Sequence, residues 1–373
     1  MIRILILYCF VAQTISYSIA QDNSEWLFFN KAGMQFFKKG DLDIAEKNYL
    51  EAIQIAEDLD LKGELSASLN NLGLLKIDLL MYKEAKYLLE RSLRLRLEVY
   101  GTNHRYIAQS YNNLARAYES SEEYNEAINL YIKSLKIYKN LGSKYLLLLA
   151  RTLNNLSTAQ ITVGLLDAAE VNLLRALDIT KKYSNDNSIT FTSMSNLAAV
   201  YMSKGNFEQA KELYKNLIII RRNSHGGDYT KLANVLNNMS VLLKKECYYK
   251  EAIVYLEEAI QIWKTNKNID ILKYSSALHN FGELHKALGN RTLAIKYFLK
   301  SLSLIEEFDF KISEQYMQQS YALLNIYKDT EEYELAKKQL KKINKYRTKS
   351  DLNLITFDDI PEEVYEECSS KKI

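Results

Sequence analysis

The sequence predicts an all-α solenoid built from about eight stacked helical pairs, and three observations predict it. Apolar residues recur three or four positions apart along most of the 373 residues, a spacing that places them on one face of a helix. The chain has 12 glycines and a single proline, which suits long helices. The third observation is an internal repeat, and a helical pair that repeats needs neighbours on both sides to bury its apolar face.

The repeat is clearest at a small residue in the second helix of each pair. An alanine recurs at intervals of 40 to 42 residues, at Ala45, Ala85, Ala127, Ala169, Ala210, Ala252, Ala294 and Ala336. A large residue follows four positions later, as Tyr131 follows Ala127. The alanine lets the second helix seat against the preceding helix, while its large neighbours fill the gaps on either side.

The first helices of the pairs repeat as well. They read SLNNLGLL from Ser68, SYNNLARAY from Ser110 and TLNNLSTA from Thr152, and the later pairs follow this pattern. A small residue stands where the two helices of a pair must approach closely, as at Gly73, Ala115, Ser157, Ala198, Ser240 and Gly282. Glycine often occupies the turn inside a pair, at Gly40, Gly164, Gly205 and Gly289.

This pattern resembles the tetratricopeptide repeat. Leu114, Ala115 and Tyr118 match the family's first-helix motif, and Ala127 and Tyr131 match its second-helix motif. The period exceeds the family's common 34 residues by about eight, or about two helical turns, and long units with Asn-Asn-Leu resemble the kinesin light chain subtype. The resemblance implies a right-handed superhelix whose first helices line a concave groove.

We expect three segments. Residues 1–20 resemble a secretory signal peptide, with Arg3, an apolar run from Ile4 to Ala12, and Ala20 before the cleavage site. Cleavage predicts an exported protein, periplasmic or secreted, and retention of the segment predicts a cytoplasmic one. An acidic tail occupies 348–373. The array of 21–347 divides into repeats 26–58, 66–99, 108–141, 150–183, 191–223, 233–265, 275–307 and 317–346.

Two cysteines, Cys247 and Cys368, remain after residue 20. A disulfide between them suits an oxidising compartment, but the favoured interpretation is one buried thiol and one free thiol.

Six asparagines occupy the same position in successive first helices: Asn71, Asn113, Asn155, Asn196, Asn238 and Asn280. The resemblance implies that this position faces the groove, where an amide can donate to and accept from the backbone of an extended peptide. The alternative is that these asparagines bond the neighbouring helix and hold the repeat geometry. The two roles do not exclude each other.

Further groove positions carry more cations than acids. The cations Arg116, Arg151, Lys244 and Lys286 stand against acids such as Glu119 and Glu283. This balance favours an acidic peptide or a C-terminal carboxylate as ligand, because the guanidinium fork matches a carboxylate. The alternative is an ordinary solvated face with an excess of lysine.

The tail carries seven carboxylates between Asp351 and Glu367, interleaved with apolar residues such as Ile355. A basic helix bearing Lys337, Lys341 and Lys345 precedes it. One hypothesis is that the tail folds back onto this helix as a cap, or enters the groove as an internal competitor. The other is a solvated, disordered tail.

The remaining motifs favour a non-catalytic scaffold or adaptor that binds a protein segment. The sequence has no phosphate loop, dinucleotide fingerprint, nucleophile elbow or metal-ligand spacing, so we expect neither an enzyme nor a cofactor or metal. A net charge of +3 argues against nucleic acid, and no apolar run after residue 20 is long enough to span a membrane. The alternative function is a sensory or regulatory module, autoinhibited by its tail or part of a signalling system.

Overall fold

The structure is a computed structural model that describes residues 24–183, 187–223, 229–266, 270–307, 314–349, 353–356 and 358–359. The signal peptide expected at 1–20 and the tail residues 360–373 lie outside the described residues. The chain forms two compact units, Met1–Val200 and Tyr201–Ile373. Within the described ranges the regular structure is sixteen α-helices and one 3₁₀ turn, Ser143–Tyr145, with no strand.

The helices alternate as first and second members of eight pairs. In chain order they are α1 (24–39), α2 (Leu42–Asp58), α3 (Lys62–Asp78), α4 (Tyr82–Tyr100), α5 (Arg105–Ser120), α6 (Tyr124–Asn140), α7 (Leu146–Thr162), α8 (Leu166–Tyr183), α9 (Asn187–Ser203), α10 (Phe207–Arg222), α11 (Tyr229–Lys245), α12 (Tyr249–Thr265), α13 (Ile271–Ala287), α14 (Arg291–Glu307), α15 (Glu314–Asp329) and α16 (Tyr333–Lys349). From the second pair onward, each first helix begins three or four residues before the repeat expected from the apolar pattern, because its first turn lies ahead of the periodic apolar residues.

Consecutive helices pack against each other inside each unit. In the first unit the contacts run from α2 on α3 through to α7 on α8, and in the second from α10 on α11 through to α15 on α16. The predicted all-α class and the stacking of successive helical pairs are confirmed. No helix in the described part of the chain has both the length and the apolar character needed to cross a membrane.

The repeating alanines form the seams of the core, as predicted. All eight are fully buried. The small residues of the first helices are also confirmed as sites of close approach: a Cβ added at Gly73 would lie 2.7 Å from Leu89 Cγ, and one at Gly282 would lie 2.7 Å from the Phe298 ring. At these two glycines even a methyl group would require the facing Leu89 or Phe298 side chain to move.

The turn inside every pair holds one residue in the left-handed conformation. Four of these residues are the predicted glycines, with φ between 78° and 86°. The other four are Leu80, Glu122, Cys247 and Glu331, with φ between 59° and 66°. The same hydrogen bonds close the turn in both groups, as Glu123 N donates to Tyr118 O at 2.9 Å. Geometry therefore requires this conformation in all eight turns, including those without glycine.

Cys247 occupies one of these turns and is 8% exposed. It is disulfide-bonded, and the other cysteine lies outside the described residues. The favoured expectation of an unpaired buried thiol is therefore wrong for Cys247. Sequence alone does not reveal which cysteines the fold brings together.

The start of the tail lies on the last helix. Ile355 is 9% exposed and packs into the core of the last pairs, beside Ala336 and Ile343. The Asn344 side chain holds the Ile355 backbone at both ends: its Nδ2 donates to Ile355 O at 2.8 Å, and its Oδ1 accepts from Ile355 N at 2.9 Å. This part of the tail covers apolar surface that a ninth pair would otherwise cover.

We predict that Glu122→Gly stabilises the protein by about 1 kcal/mol, because glycine adopts the left-handed conformation without the penalty that a Cβ brings. Glu122 is exposed, so little else is lost. The measurement is urea-induced unfolding of the full chain. The matched control is Gly164→Ala in the corresponding turn, which should destabilise by a similar amount. Equal stability of all three proteins would contradict a conformational cost at this turn.

Candidate functional site

A chain of amide pairs links neighbouring first helices. The side-chain Nδ2 of the second asparagine in one Asn-Asn motif donates to the Oδ1 of the first asparagine in the preceding motif. Asn113 donates to Asn70 at 2.9 Å, Asn155 to Asn112 at 3.1 Å, and Asn280 to Asn237 at 3.1 Å. Asn71 donates in the same way to Asn30, at 3.1 Å. The partners are 41 to 43 residues apart, close to the repeat period.

The chain of amide pairs is modified at Asn196. The expected acceptor, Asn154, is turned away, because its Oδ1 accepts from Ser193 Oγ at 2.8 Å and its Nδ2 donates to Ile189 O at 3.4 Å. Asn196 therefore donates to Thr158 Oγ1, at 3.3 Å, in an exposed pair. Serine in place of asparagine at position 195 accompanies this change.

These bonds give five of the six predicted asparagines a structural role in the described part of the chain. Their amide nitrogens are engaged by the preceding helix, which was the alternative stated above. The Oδ1 atoms of Asn113 and Asn155 are left as hydrogen-bond acceptors, and both residues line a groove. Their contact with a ligand remains a prediction. The predicted contact is a hydrogen bond that these Oδ1 atoms accept from peptide N–H groups.

The groove lies in the first unit, between α5 and α7, and has a volume of about 640 Å³. Four predicted residues, Asn113, Arg116, Arg151 and Asn155, come together there. The lining is completed by Arg105, Tyr106, Gln109, Asn112, Tyr138, Leu148 and Thr152. It contains three arginines and no carboxylate, histidine or cysteine.

The charge of the groove arginines is only partly balanced: Asp78 and Glu119 lie near enough to Arg116 for its charge to oppose the rise in their pKa values that burial causes. Within the described residues, no carboxylate forms an ion pair with any of them, and Arg116 and Arg151 are exposed. Glu119, an acid expected in the groove, is instead engaged by Tyr131, whose hydroxyl donates to it at 2.6 Å. Burial raises the pKa of Glu119, and the Arg116 charge opposes that rise. Burial also raises the pKa of Tyr138 to about 12, so its hydroxyl is a neutral donor at physiological pH.

Sequence reasoning missed seven of the lining residues. Arg105, Gln109, Asn112 and Arg116 are spaced by four, three and four residues, which places them on one face of α5. That polar stripe was available in the sequence. Tyr138 had no such signal, because it belongs to a second helix and its position depends on how the pairs stack.

The remaining predicted site residues do not join this groove. Asn71 lies on α3 and Asn196 on α9, and neither is among the lining residues. Asn238 and Lys244 belong to α11 and Asn280 and Lys286 to α13, all in the second unit.

Charge is balanced differently around these second-unit residues. Lys244 Nζ pairs with Glu283 Oε2 at 3.1 Å. Burial acts to raise the pKa of Glu283, but the charges of Lys244, His279 and Lys286 outweigh it and hold that pKa below its usual value. The cations of α11 and α13 are thus already matched by a buried carboxylate. Within the described residues, no three His, Cys, Asp or Glu side chains come together in a way that could hold a metal ion.

The chain belongs to the tetratricopeptide repeat family. The family model described as "Tetratricopeptide repeat" matches residues 26–98, 64–140, 106–182 and 189–265, and a second model with the same description matches 275–308. The predicted resemblance is confirmed over most of the chain. No curated protein matches the sequence.

Solved structures show the same fold at low identity. The apo form of RapI is 18% identical, with 80% of each chain covered and a TM-score of 0.57. The apo form of the quorum sensor NprR from B. thuringiensis is 14% identical over 88% of this chain and 98% of that chain, with a TM-score of 0.51. BtubC (BKLC) from P. vanneervenii is 20% identical over 61% of this chain and 92% of that chain, with a TM-score of 0.53.

We predict that Asn113→Ala destabilises the protein by about 1–3 kcal/mol. Asn113 and Asn70 are both buried, so the substitution leaves the Asn70 Oδ1 without its donor. The control is Asn196→Ala, at the same repeat position but with an exposed partner, which should cost under about 1 kcal/mol. Urea-induced unfolding measures both. An equal loss for the two variants would show that burial of the amide pair does not matter.

Proposed function

We propose that this protein is a non-catalytic scaffold or adaptor that binds an extended acidic segment of another protein in the groove between α5 and α7. The observation that carries the proposal is the set of three arginines without carboxylate partners around a groove of about 640 Å³. Exposed arginines repel one another, and a carboxylate-bearing ligand relieves that repulsion while filling the guanidinium forks.

The amides support a peptide as the carrier of those carboxylates. An extended peptide presents backbone N–H groups at regular spacing, and Asn113 and Asn155 offer acceptor oxygens on adjacent first helices. The groove residues pair no nucleophile with a base, which supports binding without catalysis. Membership of a family of repeats with extended binding surfaces agrees with this function.

We also propose that the protein is exported from the cytoplasm. The layout of residues 1–20 favours cleavage after Ala20, and the disulfide at Cys247 is chemistry that persists in oxidising compartments. The partner is then an envelope or extracellular protein.

The test of binding is a selection of random decapeptides displayed on phage, with the full chain as bait. Wild type should enrich sequences rich in Asp and Glu, and Arg116→Gln with Arg151→Gln should weaken the binding of those peptides about 100-fold, or about tenfold for each arginine. The matched control, Arg94→Gln with Arg175→Gln, makes the same charge change on the second helices α4 and α8 and should stay within about twofold of wild type. Enrichment of neutral peptides, or none, would contradict the proposal.

Export predicts that the protein recovered from its producing cell begins at Gln21 and contains an oxidised Cys247. Mass spectrometry of the intact chain, before and after reduction, measures both. Recovery of a reduced chain that retains residues 1–20 would place the same scaffold in the cytoplasm instead.

A further inference from the structure

Arg96, on α4, is a buried cation without an anionic partner. It is 5% exposed, and its Nη1 donates to Tyr106 O at 3.2 Å and to Ser110 Oγ at 2.9 Å. Among the described residues no carboxylate pairs with it. Burial lowers its pKa to about 10, so it is still charged at physiological pH.

A comparison within the same unit shows that this is unusual. Lys76 is similarly buried, at 7% exposure, and its ammonium contacts two carboxylates, Glu46 at 2.8 Å and Glu84 at 3.1 Å. Buried charges are normally paired in this way because desolvation is costly. Arg96 instead donates to two neutral oxygens and lies 5.4 Å from the Tyr106 ring centroid, and no carboxylate of the described residues, Glu64 included, forms an ion pair with it.

A cavity of about 200 Å³ lies beside Arg96, and we call it the Arg96 pocket. Its volume is about that of seven water molecules, which is enough for one side chain or one chain end. Its lining consists of Trp26, Gly63, Glu64, Ser66, Ala67, Arg96, Tyr100 and Tyr106.

The walls of the Arg96 pocket are held in place by their own contacts. The Trp26 indole donates to Ser68 Oγ at 2.9 Å. The Tyr100 ring stacks on His104, with centroids 4.7 Å apart, and meets the edge of Tyr106 at 5.0 Å. A Cβ at position 63 would come within 3.2 Å of the Tyr100 hydroxyl, so glycine keeps the space open.

The Arg96 pocket and the groove share a wall. Tyr106 lines both, and the guanidinium groups of Arg96 and Arg105 lie 5.4 Å and 4.6 Å from its ring centroid. A segment lying along the groove can therefore place one of its groups beside Arg96.

We propose that the Arg96 pocket is a separate subsite that binds one carboxylate group. A carboxylate would supply the missing counter-charge and match the guanidinium fork, while Trp26 and Tyr100 pack against its aliphatic stem. The negative charge of Glu64 in the lining favours a ligand with a single negative charge over a doubly charged phosphate. The carboxylate comes from an Asp or Glu side chain or from a C-terminus. Its role in recognising a partner rests on the proposed function, whereas binding of a small carboxylate does not.

The first test uses sodium propionate as the probe and the ¹⁵N-labelled full chain. The Arg96 Nε–H signal is assigned as the arginine signal that is absent from the spectrum of Arg96→Gln. At constant ionic strength, this signal should shift with added propionate until the shift saturates. It should not shift with propionamide, which carries no charge. Ala67→Leu keeps the guanidinium but fills the cavity, and should weaken propionate binding at least tenfold. Arg116→Gln, in the groove, should leave it unchanged. A shift that survives Ala67→Leu, or none in wild type, would overturn the subsite.

The second test separates the two sources with a peptide from the decapeptide selection. Arg96→Gln should weaken its binding at least tenfold. Amidation of the peptide's C-terminus should also weaken its binding at least tenfold if the peptide's chain end occupies the Arg96 pocket. It should change the affinity little if an Asp or Glu side chain of the peptide occupies the pocket. Propionate binding without peptide binding would refute the proposed function and keep the subsite. Peptide binding insensitive to Arg96→Gln would contradict the role of the subsite in recognition.

Discussion

The groove depends on the amide pair that joins one first helix to the next. A buried hydrogen bond such as Asn113 to Asn70 has one register, because a shift of either helix by one residue would leave both amides without partners in a low-dielectric interior. The alanine seams and glycine contacts allow close approach, but apolar packing tolerates small slips. The amide pairs therefore fix how far apart adjacent first helices lie, and the pair that does so across the groove, between α5 and α7, is Asn155 with Asn112.

This arrangement separates, atom by atom, the groups that hold the stack from the groups proposed to bind a ligand. The amide nitrogens hold the stack, while the carbonyl oxygens and the arginines remain available. Repeats with the same helical arrangement differ in the charge of the side chain at equivalent positions. Lys244 and Lys286 stand at the repeat position that Glu119 occupies in α5, and a buried Glu283 balances them. Under the proposed function, specificity lies in a few side chains of the first unit, and the repeated asparagines supply its geometry.

The sequence predicted the features that periodicity records: sixteen helices in eight pairs, the alanine seams and the shared position of the asparagines. The sequence could not show whether the nitrogen or the oxygen of each asparagine amide faces the preceding helix, because a structural role and a ligand-binding role both need the same residue. The place of Tyr138 in the groove depends on how successive pairs stack, which periodicity does not record. The left-handed turns at Leu80 and Glu122 carry no glycine signal. In the sequence, Arg96 is one more polar residue of a second helix, and only the packing shows that it is buried.

The most direct test of the amide pairs is a double-mutant cycle on Asn70 and Asn113. Asn70→Ala, Asn113→Ala and the double variant are compared with wild type by urea-induced unfolding of the full chain. A coupling free energy of about 1 kcal/mol or more is predicted, because the second substitution removes a partner that has already been left unpaired. Strict additivity would contradict the account, since the two amides would then stabilise the stack independently and would not fix the register between α3 and α5.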